Sequence, residues 1–215
     1  MSERWTGAFV GCLAVGLTYG VVRLWPDDWW LATAVLAVAG YVFGGRVRKW
    51  RRMALCDELT GLYNRRPFEQ ALKREWDRAA RYDRPLSLLF LDVDDFGLVN
   101  KVYGHLAGDA TLRVIARQLR HSIRSSDILA RWGGEEFVVL LPDTTVEQAV
   151  RTAERIRRTV EQASVNDHGR TIGVTVSTGV AGYPGTAESP RELLRQAIAG
   201  QATAKGQKNA VAVVC

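Results

Sequence analysis

Cysteine is scarce in this sequence, and the three present, Cys12, Cys56 and Cys215, are odd in number and far apart. Their spacing excludes a disulfide framework and the paired-ligand pattern of structural zinc, and leaves reduced cytosolic thiols. No internal repeat and no low-complexity segment is present, which excludes a solenoid and an unpacked polar tail. No small-x-small cleavage site comes after the first apolar run, and a second apolar run succeeds it, so a cleaved signal peptide is not expected. The chain also lacks the broad basic surface of a nucleic-acid binder. Its formal charge is +6, but residues 1–56 hold seven Lys/Arg against three Asp/Glu, and the remainder holds 22 against 20. An excess confined to that stretch points to membrane topology and anionic lipid rather than to nucleic acid.

With 215 residues and 47% apolar content the chain can bury one core and carry an appendage. The appendage is N-terminal. Residues 5–25 and 29–45 form two apolar runs with Arg23 as the only charge inside them. As helices they would be roughly 31 Å and roughly 25 Å long, against a bilayer core of about 30 Å. Trp5, Trp25, Trp29, Trp30 and Trp50 stand at or near the ends of the runs, where an amphipathic ring prefers the headgroup level. A soluble helical hairpin would have no need of them there. Pro26-Asp27-Asp28 separates the runs, and Arg46, Arg48, Lys49, Arg51 and Arg52 come after the second. The positive-inside rule places that basic flank, and with it the N-terminus, in the cytoplasm. The expected organisation is two transmembrane helices within residues 1–46, a juxtamembrane helical linker free of Gly and Pro at 47–56, and a cytoplasmic domain at 57–215.

From residue 57 the patterning is that of an α/β (α+β) domain. Helical spacing at 67–81 puts Phe68, Leu72 and Trp76 or Ala79 on one face. Residues 86–91 read as a buried strand that ends in Asp92-Val93-Asp94-Asp95, and 109–123 as a helix with Leu112, Ile115, Ala116 and Leu119 inward. Strands at 128–132 and 137–141 flank Gly133-Gly134-Glu135-Glu136, a hairpin whose turn needs glycine. A helix at 146–160, a strand at 171–183, a helix at 191–204 and a closing strand at 210–214 complete the pattern. Hairpins mixed with strand-helix connections favour a mixed sheet with helices packed on it.

One acidic strand end and one acidic turn, some forty residues apart, serve a single purpose if the two elements lie side by side. Mg²⁺ is bound by one or two carboxylates with substrate phosphates completing its shell, so Asp92 and Glu135 suffice as anchors for nucleotide chemistry. Separately, an acidic loop and a Gly-Gly turn are ordinary surface features. Together they are not, since Gly-Gly-Glu-Glu-Phe arises by chance in such a chain with odds on the order of one in ten thousand.

Gly133-Gly134-Glu135-Glu136-Phe137 resembles the signature of the GGDEF-domain diguanylate cyclases in its Glu-for-Asp form. The resemblance runs over roughly residues 55 to 215 and takes in three further motifs. They are Asp57-x-Leu59-Thr60-Gly61-Leu62-x-Asn64-Arg65-Arg66-x-Phe68, Asp92-x-Asp94-x-Phe96-x-x-x-Asn100, and Tyr103-Gly104-His105-x-x-Gly108-Asp109. It implies a palm-like nucleotidyl-cyclase fold, a central mixed sheet flanked by helices. It also implies that Asp92, the Val93 carbonyl and Glu135 bind Mg²⁺, with Mn²⁺ as a substitute. Asn100 and Asp109 would take the guanine edge, with Phe96 in the same substrate-binding set, and Lys205 and Lys208 the β- and γ-phosphates. Glu135, with Glu136 close by, would deprotonate the ribose 3′-hydroxyl. Two GTP-loaded domains in a homodimer would form cyclic di-GMP and two pyrophosphates at a bacterial inner membrane. Arg124-Ser125-Ser126-Asp127 is similar to the family's product-inhibition motif Arg-x-x-Asp and would bind the product.

Three stretches depart from that pattern. The family's lysine after Phe96 is Gly97 here, residues 197–205 lose the usual Asp, Leu and Tyr, and 205–209 is one residue short. These keep open a second class, a weak or inactive domain that binds cyclic di-GMP or GTP and signals by protein interaction.

Overall fold

The computed structural model describes residues 55–167, 170–185 and 187–214, together with Ala37. The chain divides into two units between Arg52 and Met53, and the sheet and its helices belong to the second. The spans expected at 5–25 and 29–45, and the linker up to residue 54, lie outside the described residues. Among the described residues no helix is long and apolar enough to cross a membrane.

Helix α1 (Arg65–Tyr82) buries Phe68, Leu72 and Ala79 on one face and ends at Asp83, whose left-handed backbone (φ 49°) accepts the chain reversal. Strand β1 (Leu86–Val93) comes next and is buried on nearly all of its length. Its neighbours explain the unbroken apolar run. β3 (Glu136–Pro142) and β6 (Val176–Tyr183) pair antiparallel along its two edges, with β2 (Ile128–Gly133) outside β3 and β7 (Val211–Val213) parallel outside β6. The sheet is mixed, in the order β2-β3-β1-β6-β7.

Strand alternation feeds two cores. Leu89, Leu91, Phe137 and Val139 face one side, where α3 (His105–His121) contributes Leu112, Ile115 and Leu119, and α4 (Val146–Gln162) contributes Ile156 and Val160. Leu88, Phe90, Val138 and Leu140 face the other, against Phe68 and Leu72 of α1 and Leu193 and Ala197 of α5 (Pro190–Lys205). The starts of α4 and α5 are set chemically. Thr145 and Gln148 form a reciprocal capping box, and Ser189 accepts from Glu192 N–H ahead of Pro190.

Two elements differ from the sequence reading. The strand expected at 171–183 is two strands: β5 (Arg170–Gly173) pairs with β4 (Ser164–Asp167) in a separate hairpin, and β6 begins at Val176. The break falls where Thr175 turns its carbonyl and hydroxyl to Asp94 instead of a strand neighbour. The helix expected to start at Asp109 starts at His105, after a short helix α2 (Phe96–Tyr103), and Gly104 (φ 85°) makes the elbow between them. Asp109 thus stands one turn inside α3.

Gly200, which costs α5 intrinsic helix propensity, has a packing reason. It crosses Gly179 of β6 so closely that a Cβ on Gly179 would overlap the Ala197 carbonyl and the Gln201 N–H. Gly179→Ala should cost about 3 kcal/mol, measured by urea unfolding. Gly200→Ala should fail to recover the roughly 1 kcal/mol that alanine brings to an open helix, because its Cβ would stand 3.1 Å from the Ala212 carbonyl oxygen.

Candidate functional site

The carboxylates predicted from sequence meet at one end of the sheet. Asp92 lies opposite Glu136 on β3 and Ser177 on β6. The Gly134-Glu135 turn folds over the same end, where Val93 N–H donates to the Glu135 carbonyl at 3.3 Å. Glycine is needed at residue 134, where φ is +33°. Burial first, then the charges of Asp92 and Glu135, push the Glu136 carboxyl above its ordinary value, while Arg65 and Lys205 pull it partly back.

What holds the acidic turn in place is Arg131, which the motifs did not single out. Its Nε and Nη2 donate to the Gly134 carbonyl at 3.0 and 2.7 Å, and its Nη1 to both oxygens of Asp57 at 3.1 and 3.0 Å. Burial alone would raise the Asp57 carboxyl, but hydrogen bonds from Thr60 and Arg131 outweigh it and hold it low. The first residues of the domain are thereby tied to the Gly-Gly turn. The one signal in the sequence was a cation two residues ahead of Gly133 in an otherwise apolar strand. Arg65 is a second basic residue at this end, and its guanidinium stacks 4.2 Å over the Trp132 ring.

Asp94 has a different role from Asp92. Its carboxylate is 4% exposed and accepts from Thr175 Oγ1 (2.7 Å), Ser177 Oγ (2.7 Å) and Asn209 N–H (2.9 Å). This fixes the turn after α5 against the end of β1. Lys205, the last residue of α5, places its ammonium on the Asp92 carboxylate and 3.0 Å from the Val93 carbonyl oxygen, while Lys208 grips both oxygens of Asp95 at 2.8 Å. Gly97 is exposed, and a Cβ there would meet nothing within 4 Å.

The Gly104 elbow turns α2 back on α3, so that the Asn100 amide lies against Gly108, the residue before Asp109. A Cβ on Gly108 would overlap Asn100 Oδ1 and stand 3.2 Å from the Phe96 ring, so only glycine lets the amide lie against α3. Phe96 is 7% exposed and belongs to the core beneath that amide.

Arg124 and Asp127 lie elsewhere. Asp127 Oδ2 accepts from the Arg124 backbone N–H at 2.8 Å, closing a turn that leaves the exposed Arg124 beside a cleft of about 520 Å³ lined also by Tyr63, Arg120 and Leu129. The length of β2, roughly 20 Å, separates this turn from the acidic end.

Among the described residues no three His, Cys, Asp or Glu side chains gather as a cage for a metal ion. The oxygens of Asp92 and Val93 nevertheless already hold a cation, the Lys205 ammonium. That donor set suits a hard divalent ion whose remaining shell comes from water and phosphate.

The site thus defines a class of α/β domain in which a mixed sheet gathers carboxylates at one strand end, with an amide of α2 fitted against Gly108 of α3 and the Lys205 ammonium at the close of the last helix. The family model described as "Diguanylate cyclase, GGDEF domain" matches residues 54–210, and the chain belongs to that family. It is 42% identical over 163 residues to the response regulator PleD of Caulobacter vibrioides, covering 74% of this chain and 36% of PleD. The GGDEF domain of DgcB from Caulobacter crescentus in complex with c-di-GMP superposes with a TM-score of 0.71 at 30% identity, covering 74% of this chain and 93% of that one. The active GGEEF domain of a diguanylate cyclase from Vibrio cholerae gives 0.66 at 28%, covering 74% and 97%. The chain spans between about a fifth and a half of the length of the curated relatives it matches.

The raised Glu136 carboxyl makes stability depend on pH in a defined sense. A group that holds its proton more tightly when folded stabilises fully below its ordinary value of 4.5, and that contribution is lost as pH rises through the raised one. Glu136→Gln should therefore raise the thermal midpoint of the metal-free protein at neutral pH and bring no gain below pH 4.5, as monitored by circular dichroism.

Proposed function

We propose that this chain is a membrane-anchored diguanylate cyclase that condenses two GTP into cyclic di-GMP and two pyrophosphates. One observation carries the reading: Asp92, the Val93 carbonyl and Glu135 share a sheet end with Lys205. The fitted Asn100–Gly108 contact, next to Asp109, adds a guanine-reading pair on the adjoining helices.

In this mechanism Asp92, Glu135 and the Val93 carbonyl hold Mg²⁺, or Mn²⁺ in its place. When bound, the ion offsets the phosphate charge that grows in the transition state and lowers the pKa of the attacking hydroxyl. Asp109 accepts from the guanine N–H groups and Asn100 pairs with the mixed donor and acceptor edge. Lys205 and Lys208 neutralise the outer phosphates. Glu135 takes the proton from the ribose 3′-hydroxyl, and Glu136, its neighbour at the start of β3, whose carboxyl burial and the adjacent acids push above its ordinary value, accepts it in turn. The O3′ of one GTP bonds to the α-phosphorus of the other as the bond to pyrophosphate breaks, and the reciprocal attack closes the ring. Each domain holds one GTP, so the reaction needs a homodimer.

Residues 5–25 and 29–45 anchor the protein in a bacterial inner membrane with the catalytic domain in the cytoplasm. Arg124 is free to grip a phosphate or guanine of the product in the cleft beside Asp127, which makes the enzyme product-inhibited. The second reading, a receptor that binds nucleotide without turnover, draws on Gly97, where a phosphate-binding cation is missing.

The test is product formation from GTP and Mg²⁺ by the purified full-length protein. Cyclic di-GMP is expected, with Glu135→Ala lowering turnover at least about 100-fold; GTP binding without product would favour the receptor. Since the space beside Gly97 is open, Gly97→Lys should raise kcat by about tenfold, the worth of one charge-assisted phosphate contact, in steady-state kinetics.

A further inference from the structure

Lys205 stands on the oxygens that the proposed reading assigns to the metal: its ammonium contacts the Asp92 carboxylate, lies 3.0 Å from the Val93 carbonyl and 3.9 Å from Asp94 Oδ1. Its place is not a matter of a loose side chain. Lys205 ends α5, a helix pressed onto the sheet by the Gly179–Gly200 crossing, with Ala204 buried beneath and the next turn pinned by Asn209 N–H on Asp94. The lysine side chain itself is 34% exposed, against 16% for Asp92, so its head has a solvent-side route away from the carboxylate.

We propose that Lys205 is a built-in counter-ion for the acidic sheet end, and that metal can enter only as Lys205 moves off Asp92 and Val93. This inference rests on the reading that those two groups hold the metal. An ammonium and a divalent ion cannot share one set of oxygens, because they compete for the same lone pairs and repel one another. Without a ligand, Lys205 offsets the mutual repulsion of Asp92, Glu135 and Glu136. Phosphate oxygens arriving with the nucleotide give the displaced ammonium a new anionic partner. Metal and nucleotide therefore bind with positive coupling, each raising the affinity of the other. The site holds little divalent ion until a polyphosphate is present.

Mn²⁺ binding to the nucleotide-free, full-length protein, counted by electron paramagnetic resonance of the free ion, tests this directly. Lys205→Gln is expected to bind Mn²⁺ about tenfold more tightly than the parent, as an uncompensated carboxylate cluster should. Its thermal midpoint without metal should fall and recover on adding Mn²⁺. Equal or weaker Mn²⁺ binding by Lys205→Gln overturns the counter-ion role. Asp92→Asn separates the two levels of the reading. Loss of the tightened binding in the double variant Asp92→Asn/Lys205→Gln keeps the metal at Asp92, whereas unchanged binding there would remove the metal assignment itself. Should Lys205→Gln not fold, amine acetylation of the parent protein read by mass spectrometry serves instead. At Mn²⁺ concentrations that the resonance titration shows to fill the site, Lys205 should become several-fold more reactive while Lys73 and Lys101 stay constant, and an unchanged Lys205 there would overturn the proposal.

Discussion

Asp94 brings a carboxylate to the inner edge of the sheet and satisfies it with the Thr175 and Ser177 hydroxyls and the Asn209 N–H. Hydrogen bonds to a charged, buried acceptor are worth about 1.5–3 kcal/mol each, and these three come from the start of β6 and from the turn after α5. Strand β1, its neighbour and the last helix are thereby locked in register at the end where Asp92 and Val93 present their oxygens. Without that node neither Lys205 nor Lys208 would have a fixed origin from which to reach the acidic end.

The same end of the sheet concentrates like charge, and the surrounding structure is arranged to bear it. Asp92 and Glu136 face each other across the β1-β3 pair, an arrangement that opposes pairing. Arg65, on the Trp132 ring, and Lys205, at the end of α5, bring positive charge to it. Arg131 carries the turn itself, bonding the Gly134 carbonyl on one side and Asp57 on the other. Asp57 lies at the entrance of the domain. A displacement there has a short path, of two salt-bridged side chains and one carbonyl, to Glu135.

Much of this was legible in the residues. The unbroken run 86–91, the Gly-Gly punctuation at 133–134 and the helical spacing of 67–81 each correspond to β1, the β2-β3 turn and α1, because strand burial, turn chemistry and amphipathic period are local properties. So is the presence of acid at a strand end and on a turn. The division of residues 171–183 between two sheets was not legible, since Val, Ile and Thr favour a strand whichever partner they find. Nor was the helix 96–103, whose eight residues are too few to show a period clearly.

An α/β domain of the GGDEF family, with paired acidic elements, behind a strongly apolar N-terminal segment, is specified by the amino-acid order alone. Composition, spacing and motif are enough for that, because they require no knowledge of distant neighbours. Folding in three dimensions was needed to show that Asp92 faces Glu136, that Arg131 supports the turn from 74 residues beyond Asp57, that Gly108 clears space for Asn100, and that Lys205 sits on Asp92 across 113 residues of chain. Apart from the Gly108–Asn100 fit, which joins two consecutive helices, each of those is a contact between segments remote in sequence, set by strand order and helix packing, and no local pattern encodes which partner a side chain will meet.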